Sequence, residues 1–248
     1  MGEPIIEVRE LTAGYGDRTI LSDLSVDFLR GRVTCIVGLL RLLRGSVLVD
    51  GLDLGDLDDD SLAKALSRVG LLFQQGAMLN SVTVAENVAL PLREHTDLPE
   101  EVIDEIVRLK LQAVGLGHTA TFLPSEMSGG MRKRAALARA MALDPDVLLC
   151  DEPSAGLDPQ TAAELDALIL RLKETFRMTV IVVTHELASI ETIADDIVFL
   201  GRGGVLHFRG ELAEAKRSRK PEVADFFGRR MPDAPAGTRS LLEALEGA

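Results

Sequence analysis

Across 248 residues, 46% hydrophobic, 27% charged and 4% aromatic, the chain holds enough apolar material for one large core or two modest ones, which excludes disordered, collagen-like and disulfide-miniprotein classes. Its formal net charge of -12 argues against a protein that grips a nucleic-acid backbone with lysine and arginine. No apolar stretch approaches the ~18 residues that cross a bilayer, and MGEPIIEVRE lacks the charge and apolar run of a signal peptide, so a cytoplasmic chain is expected.

In chain order, the runs IIEVREL, VTCIVG, SVLVDG, VGLLF, DVLLCDEP, MTVIVVTH, DDIVFL and GVLHF read as strands. Several are continuously apolar, the pattern of strands covered on both faces in a parallel α/β sheet. Helical periods lie between them: SLAKALSRV opens after Asp58, Asp59 and Asp60, and TAAELDALILRLKETF follows Asp158-Pro159. The alternation predicts a doubly wound α/β core. Between about Met78 and Met127 the β signal fades, and VTVAENVALPLREH and PEEVIDEIVRLKLQAVGL predict a helical insertion, with a helix end at Pro91. Past Gly210 the tail mixes short helical pieces with Pro, Gly and opposite charges; Phe226-Phe227 is expected to pack on its own core. Cys35 and Cys150 sit in apolar runs and read as inert buried thiols.

The chemistry concentrates in MSGGMRKRAALARAMALDPDVLLCDEPSAGLD, Met127 to Asp158. Ser128-Gly129-Gly130 precedes an Ala/Arg-rich helix, so its free N–H groups and the positive dipole end suit an anionic phosphate. The apolar run Val147–Cys150 delivers Asp151 and Glu152 to a strand's carboxyl end, where open α/β sheets bind ligands. There Asp151 can hold magnesium through its water shell, and Glu152 can polarise a water toward a phosphoryl group. TVIVVTHE ends another strand at His185, placed to sense a terminal phosphate.

In this order the motifs resemble the nucleotide-binding subunit of an ABC transporter, over Ile5 to about Gly210. The resemblance implies a RecA-like P-loop NTPase core with an antiparallel β subdomain and a helical subdomain: core 1–77 and 128–210, helical subdomain 78–127, tail 211–248. It implies that Ser128, Gly129 and Gly130 form the signature loop, closing on ATP held by the other subunit of a homodimer. Asp151 matches the Walker B aspartate, Glu152 the catalytic glutamate, Asp158 the end of the D-loop and His185 the switch histidine. Phe73-Gln74 matches the Q-loop, whose Gln74 meets magnesium and faces the membrane permease; Tyr15 matches the aromatic that stacks on adenine. LLFQQGAMLNSVTVAENVALPLREHT and SGGMRKRAALARA are similar to the ATPases of the Mla and Mce group, which power lipid movement between bacterial membranes. That implies ATP and Mg2+ as cofactors, and a place on the cytoplasmic face of the inner membrane. The implied partners are integral-membrane permease subunits, a small accessory subunit and an Mce-type substrate-binding protein, with no nucleic acid.

One motif of the family is missing. Its ATP-binding loop reads G-x-x-x-x-G-K-[ST] between a strand and a helix, N–H groups cradling phosphates and a lysine reaching the outer ones. Here VTCIVG ends in Gly38, which matches only the first glycine, and no Gly-Lys pair occurs anywhere in the chain. Leu39 to Leu43 reads as the apolar part of the following helix, yet five residues make little more than one turn, at about 3.6 per turn. A strand–helix–strand crossover takes a dozen or more residues. Two readings stay open. Either two short pieces, roughly 15 residues together, are missing after Gly38 and Leu43, or the chain is a loop-less, non-hydrolysing regulatory or binding module of the same fold.

Overall fold

The computed structural model describes residues 2–15, 18–37, 42–201 and 204–228. It opens with two twelve-residue strands, β1 (Pro4–Tyr15) and β2 (Arg18–Leu29), then β3 (Val33–Val37), β4 (Leu42–Val49) and β5 (Leu52–Asp53). Helix α1 (Asp59–Leu66) leads to β6 (Val69–Leu72), and the helices α2 (Val84–His95) and α3 (Glu100–Ala113) follow. Next come α4 (Gly129–Ala140), β7 (Val147–Asp151), α5 (Pro159–Phe176), β8 (Thr179–Val183), α6 (Leu187–Ile193) and β9 (Asp196–Leu200). The described chain closes with β10 (Leu206–Gly210), α7 (Leu212–Ala215) and α8 (Pro221–Gly228).

Two sheets result. A six-stranded sheet runs β10-β9-β3-β8-β7-β6, parallel except at β10, and an antiparallel sheet runs β2-β1-β4-β5. The pleat explains the continuous apolar runs. Leu148, Cys150, Val180, Val182, Ile197 and Phe199 face a core shared with the helices, whereas the alternate residues Val147, Ile181, Val198 and Leu200 face a second core against β1 and β2. A strand buried on both faces has no polar side to show.

Three local expectations change. β2 is a full strand that pattern reading passes over, because its apolar residues Leu21 and Leu24 are three apart. A register shift between β1 and β2 there, with Asp23 and Glu10 at positive φ, takes up the extra residues and breaks the two-residue period. Pro91 does not end a helix; it lies inside α2. That helix begins at a capping box between Thr83 and Glu86 and is pinned by buried Asn87, whose amide donates to the carbonyls of Leu79, Val82 and Thr83. These contacts offset the hydrogen bond that proline cannot make. Finally, Leu42 and Leu43 continue no helix: they open β4, with Leu42 opposite Ala13. Only residues 38–41 join β3 to β4, and a link that short has no room for a loop and covering helix.

The aromatic pair Phe226–Phe227 lies against the protein's own core, with Phe226 edge-on to Phe199 at 5.5 Å between ring centroids. Both cysteines are buried, and burial pushes the Cys35 thiol up to about 12.

Candidate functional site

The register brings the strand tips together. Leu72 of β6 pairs with Cys150 of β7, and Asp151 with Val183 of β8. Gln74, Asp151, Glu152 and His185 therefore leave one edge of the sheet within two residues of the last paired positions. β3 ends at the same edge, with Ile36 opposite Val183; Gly38 itself lies outside the described residues, and so does the side chain of Tyr15, which ends β1.

Glu152 and His185 are in direct contact, Oε1 to Nδ1 at 2.5 Å, and Thr184 Oγ1 donates to Glu152 Oε2 at 3.1 Å. The carboxylate is the more enclosed partner, its side chain 16% exposed against 68% for the imidazole. The Glu152 backbone adopts φ +44°, a left-handed conformation uncommon outside glycine. It is held by its own N–H to Val183 O at 2.8 Å and by Lys133 Nζ donating to its carbonyl at 3.2 Å. Strain kept in place at a strand tip is typical of functional residues.

The pair also sets a protonation state. The Glu152 hydrogen bond and charge favour the imidazolium and raise the pKa of His185 above 6.5. The pair's contribution to stability is therefore complete below about pH 6.5 and fades as pH rises through the higher folded-state midpoint. In a nitrogen-15 titration, His185 is expected to release its proton above pH 6.5 and to return toward that value in Glu152→Gln; an unaltered chain titrating at or below 6.5 contradicts the pairing.

Helix α4 connects three parts of the edge. Ser128 is its N-cap, accepting from Met131 N–H at 3.2 Å, so the N–H groups of Gly129 and Gly130 precede the first intrahelical bond, Arg132 N–H to Ser128 O. Five residues past Ser128, Lys133 reaches the Glu152 carbonyl, and at the far end half-buried Arg139 donates to Gly76 O at 2.7 Å and Ala77 O at 2.8 Å, just past Gln74. A Cβ on Gly130 would stand 2.6 Å from Thr161 Cγ2 on α5. Thr161 is itself locked by Asp158, the α5 N-cap, through Oγ1 to Oδ2 at 2.6 Å and its N–H to Oδ1 at 3.0 Å.

Gln74 and Gly129 share a cavity of about 420 Å³ with Lys133 and Leu157. Ser128 and Gly130 face another, beside His118 and Thr161. Among the described residues, no hydrogen bond within one chain joins Ser128 or Gly130 to Glu152 or His185. A third cavity, about 470 Å³, opens beside Gln74 between β6 and α2; its wall includes Leu66, Leu71, Phe73 and His95, the first three notably exposed for their size.

Pattern reading missed Lys133, Thr184 and Arg139. Lys133 carries a faint signal: it stands three and four residues before Ala136 and Leu137, on the buried face of α4.

The residues fit a cation at Asp151. Burial and the neighbouring Glu152 raise its carboxyl pKa, and Lys133 opposes this only in part. An under-compensated carboxylate at a strand tip suits a hard ion that keeps most of its waters, and Gln74 leaves the neighbouring strand at the same end of the sheet. For the phosphates, the α4 N-terminus supplies donors of the right kind, but a lysine-bearing cradle has no counterpart in the sequence.

A twisted α/β sheet with acidic and histidine side chains at its strand tips, flanked by an antiparallel sheet and inserted helices, defines a nucleotide-binding cassette. Residues 32–155 match the family model "ABC transporter". The chain is 43% identical over 210 residues to the intermembrane phospholipid transport system ATP-binding protein MlaF of Haemophilus influenzae, covering 79% of this chain and 80% of that one. It is 40% identical over 242 residues to the probable ribonucleotide transport ATP-binding protein mkl of Mycobacterium leprae, covering 91% and 70%. The structure superposes on cbiO1 of Clostridium perfringens, part of the cbiONQ transporter complex, with TM-score 0.77 at 25% identity over 93% and 96% of the chains. It also matches the dimeric ATP-binding cassette MJ0796 bound to ADP and Pi, with TM-score 0.73 at 27% identity over 84% and 98%. The chain belongs to the ABC transporter family.

Proposed function

We propose that this chain is the ATP-hydrolysing subunit of a transporter that moves phospholipid between bacterial membranes. The observation that carries this is the contact of half-buried Glu152 with His185 beside Asp151 at the strand tips, in a chain 43% identical to a phospholipid-transport ATP-binding protein. Two copies face each other, so that Ser128 to Gly130 of one complete the nucleotide cleft of the other; the dimeric form of the similar cassette MJ0796 supports that arrangement.

Each residue has a task. Glu152 orients the attacking water and takes up its proton, His185 holds the terminal phosphate, and Asp151 with Gln74 would hold magnesium. Bound Mg2+ supplies positive charge to the transferring phosphoryl group. Asp158 fixes the start of α5 and through Thr161 the seat of Gly130, and Tyr15 stacks on adenine. The core at 1–77 and 128–210 carries this chemistry, the insertion at 78–127 reports it, and α7 and α8 at the start of the tail pack on the core. The apolar groove at Leu66, Leu71 and Phe73 receives a permease segment on the cytoplasmic face of the inner membrane. A small accessory subunit and an Mce-type lipid carrier complete the assembly. No described helix is long and apolar enough to cross a membrane itself.

Hydrolysis needs a phosphate cradle between β3 and β4, so the intact mass of the protein purified from its source is the test. It is expected to exceed 26.8 kDa by about 1.5 kDa, the mass of a phosphate loop and the start of its helix. A mass of 26.8 kDa overturns the hydrolytic reading and leaves a loop-less module.

A further inference from the structure

On the side of α5 away from Gly130 lies a polar cluster that nothing above uses. Asp166 continues the apolar stripe of α5, beside Leu165 and Ile169, yet is a carboxyl group 2% exposed. Its Oδ1 has no hydrogen-bond partner, and no salt bridge reaches it among the described residues. Ser189, the third residue of α6, faces the same carboxyl across a shared cavity and lies 3.2 Å, Oγ to Oγ, from Ser154. Ser154 and Ser189 are 4% and 3% exposed, and the three groups border a cavity of about 220 Å³ with Leu157 and Glu186.

A buried carboxyl with one oxygen unsatisfied is costly, and an apolar residue would pack there more cheaply. What the cluster does is span two loops. Ser154 stands two residues after Glu152, in the turn that leads to Asp158; Ser189 stands four after His185. Asp166 biases the direction of the one bond between them: its carboxyl faces the Ser189 hydroxyl, favouring the rotor in which Ser189 turns its proton toward Asp166 and accepts from the Ser154 hydroxyl. The Ser154–Ser189 bond then ties the turn after Glu152 to the start of α6, just past His185, in a low-dielectric interior.

We propose that Asp166, Ser189 and Ser154 are positioning residues that hold the loop of Glu152 against the loop of His185. None of them touches nucleotide. The proposal rests on the roles given above to Glu152 and His185, but the contact it explains exists without nucleotide.

The test reads that contact directly. The His185 imidazole nitrogen signals, identified among four histidines by their loss in His185→Gln, are recorded at fixed pH in the nucleotide-free chain. Ser189→Ala and Ser154→Ala are expected to move them in the direction that Glu152→Gln moves them. Asp166→Asn keeps an acceptor for Ser189 and is expected to leave them near the wild-type position, whereas Asp166→Ala displaces them. In turnover assays, Ser189→Ala is expected to lower kcat about tenfold with KM for ATP nearly unchanged, a loss of geometry rather than of binding. His185 signals at the wild-type position in both serine variants overturn the proposal, whatever their turnover. If the unaltered chain hydrolyses no ATP, the hydrolytic reading fails and the imidazole signals still decide this one.

Discussion

Glu152→Gln is expected to cut ATP turnover at least about a hundredfold, the low end of what a positioned general base contributes, while ATP and Mg2+ still drive the variant into dimers. The amide keeps the size of the carboxylate and can still accept from Thr184, so the fold is preserved. What it loses is the ability to take a proton and the charge that holds the His185 imidazolium. With chemistry stopped and binding intact, the closed dimer accumulates. Sedimentation with and without ATP reads the second half of the prediction. Normal turnover in this variant removes the role assigned to Glu152.

The second large effect is structural. A Cβ on Gly70 in β6 would stand 2.3 Å from Ala140 O, at the end of α4, and 3.0 Å from Pro145 Cγ. The close neighbour is backbone, so no rotamer change relieves the clash. Gly70→Ala is expected to destabilise the chain by about 3 kcal/mol, the upper part of the overpacking range, by levering α4 away from the sheet. Because α4 also carries Gly129, Lys133 and Arg139, turnover falls further than the lost folded fraction accounts for. Denaturant unfolding checks the first part; a variant as stable as the parent shows that the helix end yields without cost.

The sequence makes some of this legible and hides the rest for physical reasons. Strands buried on both faces, such as β7, β8 and β9, stand out as apolar runs. β2 does not, since an irregularity near Asp23 interrupts its alternation, and no local signal separates such a strand from a loop. Pro91 reads as a boundary because its missing N–H is local, whereas the Asn87 contacts that sustain α2 reach back across a turn. The acidic pair and the histidine are visible as strand-end residues. Their contact is not, for it depends on β7 and β8 being neighbours in the sheet, a fact of topology. Lys133 is hidden by its composition, one cation in a run of Arg and Lys, until the helix turns it toward the Glu152 carbonyl. Asp166 reads as one more solvated carboxylate of a surface helix until its burial is seen.

Mixing two inactive chains tests the shared site most directly. One chain carries Ser128→Arg, which fills the helix N-terminus; the other carries Glu152→Gln. If each cleft is built from both chains, a mixed dimer contains one cleft with two lesions and one with none. Turnover is expected to return to about a quarter of the wild-type rate, since half of the dimers are mixed and each has one working cleft. A mixture as inactive as its parts contradicts the two-chain site.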